Sequence, residues 1–243
     1  MTEQQKPQGP ESPPDMPEAK PETEPKAPLK LSMADLIYGI LFSPVKTYRR
    51  VAEAPPVAST LLLVIGLNLV LAVMDMFSAD NQLAQSLNSG FMNETMVNAV
   101  QAAAPVIAAT GFIINIVIWF VYSGLLHLIA EFYGGRGRAV TTFTVYGLAG
   151  LPAVALIPVQ GLEIVSNSHF TAVMSIIVTA AVVIWGIVLL TIGLREAQRL
   201  STGRALAVVI TPWAVGLMLA AAVLVLFITA MSSLAPEAPF KNF

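Results

Sequence analysis

Apolar positions in this chain fall in long blocks rather than in the short alternating runs of a soluble fold. Five blocks lie at about residues 57–77, 102–132, 140–159, 171–194 and 205–231. Each is long enough for a helix that crosses a bilayer, whose core takes roughly 20 apolar residues at helical rise. Between them lie polar stretches at 78–101, 160–170 and 195–204, and a Gly-Gly-Arg-Gly-Arg turn at 134–138. Pro152 and Pro158 in the third block, and Pro212 in the fifth, predict kinks where neighbouring helices take up the freed carbonyls. The small pairs Ala149/Ala153 and Gly216/Ala220 suit close helix contact.

Ahead of the blocks the pattern changes. Ser32 is placed to cap a helix, with Asp35 at the capping-box position and Leu36, Ile37, Ile40 and Leu41 as an apolar stripe. Ser43-Pro44 reads as a second helix start. Lys46, Arg49 and Arg50 follow beside Val45, Tyr48 and Val51, and Pro55-Pro56 ends the segment. Residues 31–54 are therefore expected to form amphipathic helices in the membrane interface or on the cytoplasmic ends of the bundle. Residues 1–30 are rich in Pro, Glu and Lys, and the expectation is a disordered cytoplasmic tail without the apolar core of a signal peptide. Residues 55–231 then form the transmembrane domain and 232–243 a short external tail.

Composition agrees with a membrane protein. The chain is 56% hydrophobic and 12% charged, against roughly 25% charged in an average soluble domain. A net charge of −2 gives no electrostatic case for nucleic acid. The absence of cysteine excludes disulfides and thiol nucleophiles. With His127 and His169 as the two histidines, a metal site would need carboxylates to complete it, and neither metal nor cofactor is expected.

Charge fixes an orientation. The near-membrane cations are Lys30, Lys46, Arg49 and Arg50, then Arg136 and Arg138, then Arg195, Arg199 and Arg204. With five spans these groups share one side, and Lys241 alone lies on the other. Positive flanks stay in the cytoplasm, so the N-terminus is expected inside and the C-terminus outside a cell membrane. Arg49, Arg50, Arg136, Arg138, Arg199 and Arg204 are the candidate contacts for anionic headgroups or for carboxylates of a partner. The glycine-rich turn is a poor nucleotide loop, because no strand precedes it and no lysine-serine pair follows.

Polar groups within the spans are few. Asn68, Asn115, His127 and Glu131 form a candidate intramembrane cluster, and Asp75 shares a face with Asn68 near the far end of the first span. Ser123, His127 and Glu131 lie on one helical stripe, and a structural hydrogen bond between His127 and Glu131 is expected there rather than a metal. A faint repeat places Ile118-Trp119 and Gly137-Arg138-Ala139 in register with Ile184-Trp185 and Gly203-Arg204-Ala205.

Several of these residues together resemble a known family. They are Phe42-Ser43-Pro44 with Tyr48-Arg49-Arg50, Phe132-Tyr133-Gly134-Gly135, Tyr146 through Pro152, and Trp185 with Gly193-Leu194 and Ser201. Over about residues 31–230 the chain is similar to the Yip family of Ypt/Rab-interacting membrane proteins, in its prokaryotic branch. Asp35-Leu36 with Tyr38-Gly39 echoes the Asp-Leu-Tyr-Gly stretch of eukaryotic members, with Ile37 interposed. The resemblance implies an all-α fold of five transmembrane helices and implies no catalytic residue. Eukaryotic relatives are linked to Rab GTPases, vesicle traffic and membrane shaping.

The leading expectation is a non-enzymatic module that binds partners or organises the bilayer. Its partners would be anionic headgroups at the cytoplasmic face, other membrane proteins or a second copy. A small transporter or lipid-handling protein is the alternative, on the kinked helices and Asn68, Asn115, His127 and Glu131. An intramembrane enzyme ranks third, because Ser123, His127 and Glu131 follow one another along a helix instead of converging on a substrate.

Overall fold

The structure, a computed structural model, describes residues 32–90, 92–166 and 168–234. The tail expected at 1–30, with Lys30, and Lys241 near the C-terminus lie outside the described residues. The described residues form helices and no strand: α1 (Met33–Phe42), α2 (Pro44–Glu53), α3 (Val57–Asn88), α4 (Glu94–Phe132), α5 (Ala139–Ala149), a 3₁₀ segment (Leu151–Ala155), α6 (Leu156–Val165), α7 (His169–Gln198) and α8 (Thr202–Leu234). Five segments are long and apolar enough to cross a membrane: Val57–Ala79, Glu94–Phe132, Ala139–Val165, His169–Gln198 and Thr202–Ser232.

The chain enters through a capped hairpin. The Asp35 N–H donates to Ser32 Oγ at 3.1 Å, and the Ser32 N–H donates back to Asp35 Oδ2 at 3.2 Å. The Ser32 side chain and backbone hydrogen bonds hold the Asp35 carboxyl below its ordinary range. Ser43 breaks the helix and Pro44 restarts it. Gly39 lets α1 fold onto α2, because a Cβ there would strike the Thr47 side chain.

α2 spends its apolar face on protein. Thr47, Tyr48 and Val51 are buried, and α2 packs on α7 and α5. Gly193 of α7 makes the seat: a Cβ there would meet Val145 Cγ1, and Tyr48 Cε1 at 3.0 Å. Lys46, Arg49 and Arg50 stay exposed on the opposite face.

Two elements run longer than hydropathy predicts. Of the polar stretch 78–101, most is helical: α3 continues to Asn88, and α4 begins at Glu94, capped by Asn93, whose side chain accepts from the Met96 N–H at 2.8 Å. Hydropathy marks where lipid ends, whereas a helix ends where its caps lie. The third span does break at proline. α5 stops at Ala149, and Pro152 sits in the 3₁₀ segment before the chain resumes as α6. Proline supplies no N–H there, which favours the tighter turn.

The buried core lies toward one end of the bundle. It joins Leu36, Ile40 and Val51 of the hairpin to Leu126, Leu148, Leu189, Leu194 and Val208. α8 leaves this core early, and from Trp213 to Ser232 every residue is exposed. Its apolar side chains face the bilayer, which covers them as protein would.

Candidate functional site

Three cation-bearing segments, far apart in sequence, meet at the packed end. The first is α2, the second the turn at 134–138, the third the α7–α8 connection. Gln198, the last residue of α7, is fully buried among them. Its Oε1 accepts the Gly137 N–H at 2.8 Å, and its main-chain carbonyl accepts the Arg136 N–H at 3.0 Å. Its Nε2 donates to Thr142 Oγ1 at 2.6 Å and lies 2.9 Å from His127 Nδ1. A backbone N–H is always a donor, so the atom facing Gly137 must be the amide oxygen. The amide nitrogen therefore faces His127, whose Nδ1 accepts and whose Nε2 carries the proton. That Nε2 lies 3.4 Å from Glu131 Oε1, the pairing expected from the helical stripe.

The glycines of the turn are required by this contact. A Cβ on Gly135 would lie 2.8 Å from both the Ala130 carbonyl oxygen and Gln198 Oε1. One on Gly137 would overlap the Ala197 carbonyl oxygen. Gly134 takes φ +88°, a left-handed conformation that glycine adopts without penalty. Gly203, the counterpart of Gly137 in the faint repeat, has nothing within 4 Å of its Cβ position. The two hairpins share a sequence echo but not an environment.

Glu196 ties α2 to α7. Arg49 Nε donates to its Oε2 at 3.0 Å, and Arg195 Nη2 to its Oε1 at 2.7 Å. Arg199 then reverses the chain in a left-handed conformation, φ 56°, the one non-glycine residue of that kind among the described residues. Its N–H donates to the Arg195 carbonyl. Arg49, Arg50, Arg136, Arg138, Arg199 and Arg204 are all exposed. The structure thus gathers the six predicted arginines at one end, with their backbones fixed and their guanidinium groups outward.

The predicted intramembrane cluster divides in two. His127 and Glu131 belong to the arginine end. Asn68 and Asn115 line a groove elsewhere, and on α4 twelve residues separate Asn115 from His127, about 18 Å of helical rise. The groove consists of two hollows of about 660 and 520 Å³ that share Asn68, Leu71 and Asn115. The first lies between α3, α4 and α6, and the second reaches Trp119, Tyr122, Tyr146 and Trp213. Asn68 Nδ2 donates to the Val64 carbonyl at 2.8 Å, a bond within its own helix. Asp75 accepts from Gln160 Nε2 at 3.1 Å. Ser123 donates to the Phe120 carbonyl at 2.8 Å, so it forms no triad with His127 and Glu131. No group of three or more His, Cys, Asp or Glu is placed to hold a metal among the described residues.

No curated protein and no solved structure matches the chain. A family model does: the Yip1 domain, over residues 38–224. That range runs in one piece from α1 into α8 and includes the Tyr48 seat, the glycine turn and Gln198. The match covers more than half of the chain, which is thereby a multi-pass integral membrane protein and belongs to the Yip1 domain family.

Proposed function

We propose that the protein is a non-enzymatic membrane module that binds partners or organises the bilayer through its arginine-rich end. This reading puts it in the cell membrane of a prokaryote, with that end and the N-terminus in the cytoplasm and the C-terminus outside. One observation carries the reading. Arg49, Arg50, Arg136, Arg138, Arg199 and Arg204 are exposed, while Gln198 and Glu196 hold the segments that bear them. A rigid scaffold loses little entropy when its arginines engage phosphates or carboxylates, and that favours binding. The occupants expected are anionic headgroups and the acidic faces of neighbouring membrane proteins, including a second copy.

A photo-crosslinking residue at Arg136 or Arg138, in native membranes, tests this. Capture of an anionic lipid or of a membrane protein is expected, weakened by Arg199→Gln with Arg204→Gln. Absence of both adducts overturns the reading. A single cysteine at residue 136 is expected to react with an impermeant reagent only after the cytoplasmic face is opened. Reaction in intact cells would reverse the orientation.

A further inference from the structure

We infer that the groove between α3, α4, α5 and α6 binds one phospholipid with a primary ammonium headgroup, the ammonium on Asp75 and Gln160 and an acyl chain running toward Tyr146. The inference does not rest on the arginine-rich end, so either can fail alone.

Charge selects the headgroup. Among the described residues that line the two hollows, Asp75 is the one with a formal charge, and none is Lys, Arg or His. Its carboxylate accepts from Gln160 Nε2. That bond fixes the Gln160 amide and leaves its Oε1 buried without a hydrogen-bond partner among the described residues. A buried acceptor without a donor is costly. Two acceptors are therefore neighbours here, the Asp75 carboxylate and, just beneath the surface of the hollow, the Gln160 amide oxygen, to which no described residue donates. A primary ammonium has three N–H groups and can serve both. A choline group carries the same charge but no N–H. A glycerol or phosphate group with net negative charge meets no cation here.

Length selects a lipid over a small amine. On α3 the lining runs from Asp75 through Leu71 and Asn68 to Val64, about 16 Å of helical rise. That is close to half of a bilayer core of about 30 Å, the depth of one leaflet. Asp75 lies four residues from the Ala79 end of its span, where a headgroup belongs. Beyond it α3 continues past its apolar segment to Asn88, and Ser86, with Val100 of α4, extends the lining there. Toward the other end the walls are apolar and aromatic, as an acyl chain requires. The Asp75 end is opposite the arginines, so the lipid headgroup belongs to the other leaflet.

The experiment uses the full chain in mixed micelles holding equal amounts of phosphatidylethanolamine, phosphatidylcholine and phosphatidylglycerol, with retained lipid read by native mass spectrometry. One phosphatidylethanolamine per chain is expected, at least tenfold over either other lipid. Asp75→Asn and Gln160→Leu should each lower that retention about tenfold, and Asp75→Glu should keep it. Gly111 lines the groove and has nothing within 4 Å of its Cβ position. Gly111→Leu should therefore block the chain track while Asp75 stays intact, and it carries the test if Asp75→Asn does not fold. Equal retention of the choline lipid, retention unchanged in Asp75→Asn and Gly111→Leu, or displacement by ethanolamine alone would each overturn the inference.

Discussion

The Gly137 N–H donates to Gln198 Oε1 at 2.8 Å, across 61 residues of chain. That bond joins the glycine turn to the end of α7, and the same amide reaches Thr142 and His127. Replacing Gln198 with Leu keeps the volume and removes the amide. It leaves the Gly137 N–H and the Thr142 hydroxyl without this partner, at a cost of about 2–4 kcal/mol. A lower melting temperature in detergent, with faster proteolysis at the turn, is the expected result. An unchanged melt would show that the amide does not organise this end.

Glycines separate by environment, not by position in the turn or the spans. Gly137→Ala puts a methyl group against the Ala197 carbonyl oxygen, and Gln198 Cδ lies 2.9 Å from the same Cβ position. Overpacking of this kind destabilises by about 1–3 kcal/mol. Gly216→Ala on α8 meets nothing within 4 Å. Its effect should stay within about 0.5 kcal/mol. Thermal melts of the two variants side by side decide the point.

Arg49 and Glu196 form an ion pair in which Arg49 is mostly exposed, so its net contribution is small. Glu196→Ala is expected to cost about 1 kcal/mol or less, and less still in high salt. A swap tests direct pairing. Arg49→Glu alone sets two acids side by side and should loosen α2, read as faster proteolysis between α2 and α3. Adding Glu196→Arg should restore most of the protection.

Tyr48 is fully buried, and its hydroxyl has no hydrogen-bond partner among the described residues. Tyr48→Phe should therefore leave stability unchanged or raise it by about 1 kcal/mol. Tyr48→Ala should cost about 3–5 kcal/mol by emptying the Gly193 seat. Burial also pushes the Tyr48 phenol above its ordinary value. The unfolded chain gives up this proton near about pH 10, while the folded chain keeps it. The native state is therefore fully favoured below that pH and loses ground as pH rises through it. The fall in melting temperature above about pH 10 should be shallower in Tyr48→Phe.

The spans were legible because bilayer thickness imposes a length that hydropathy measures directly. The Ser32-Asp35 cap and the Ser43-Pro44 restart were legible because both are local, set by residues within one turn. The grouping of the arginines followed from topology, and the ion pair between Arg49 and Glu196 adds the contact. Gln198 was not singled out. A glutamine at the end of an apolar helix, between arginines, reads as solvated, and its burial depends on a turn 61 residues away. Gly135 and Gly137 gave a partial signal, since paired glycines mark close backbone approach, but not what approaches. The extensions of α3 and α4 were missed because polar residues can continue a helix beyond lipid. The groove, assembled from several helices, leaves no mark in any one of them.

The uneven distribution of the core has a dynamic consequence. The hairpin, the glycine turn and the ends of α4, α5 and α7 are bound together by buried contacts, whereas the opposite ends of α3, α4 and α6 enclose a hollow. Local opening costs least where few apolar contacts must be broken. The helices are thus gathered like stems tied near the base, free to splay at the tips while the knot holds. Backbone amides beyond Asp75 should exchange with deuterium well before those around Leu194, and insertion of a lipid tail between the loose ends requires no disturbance of the tied ones.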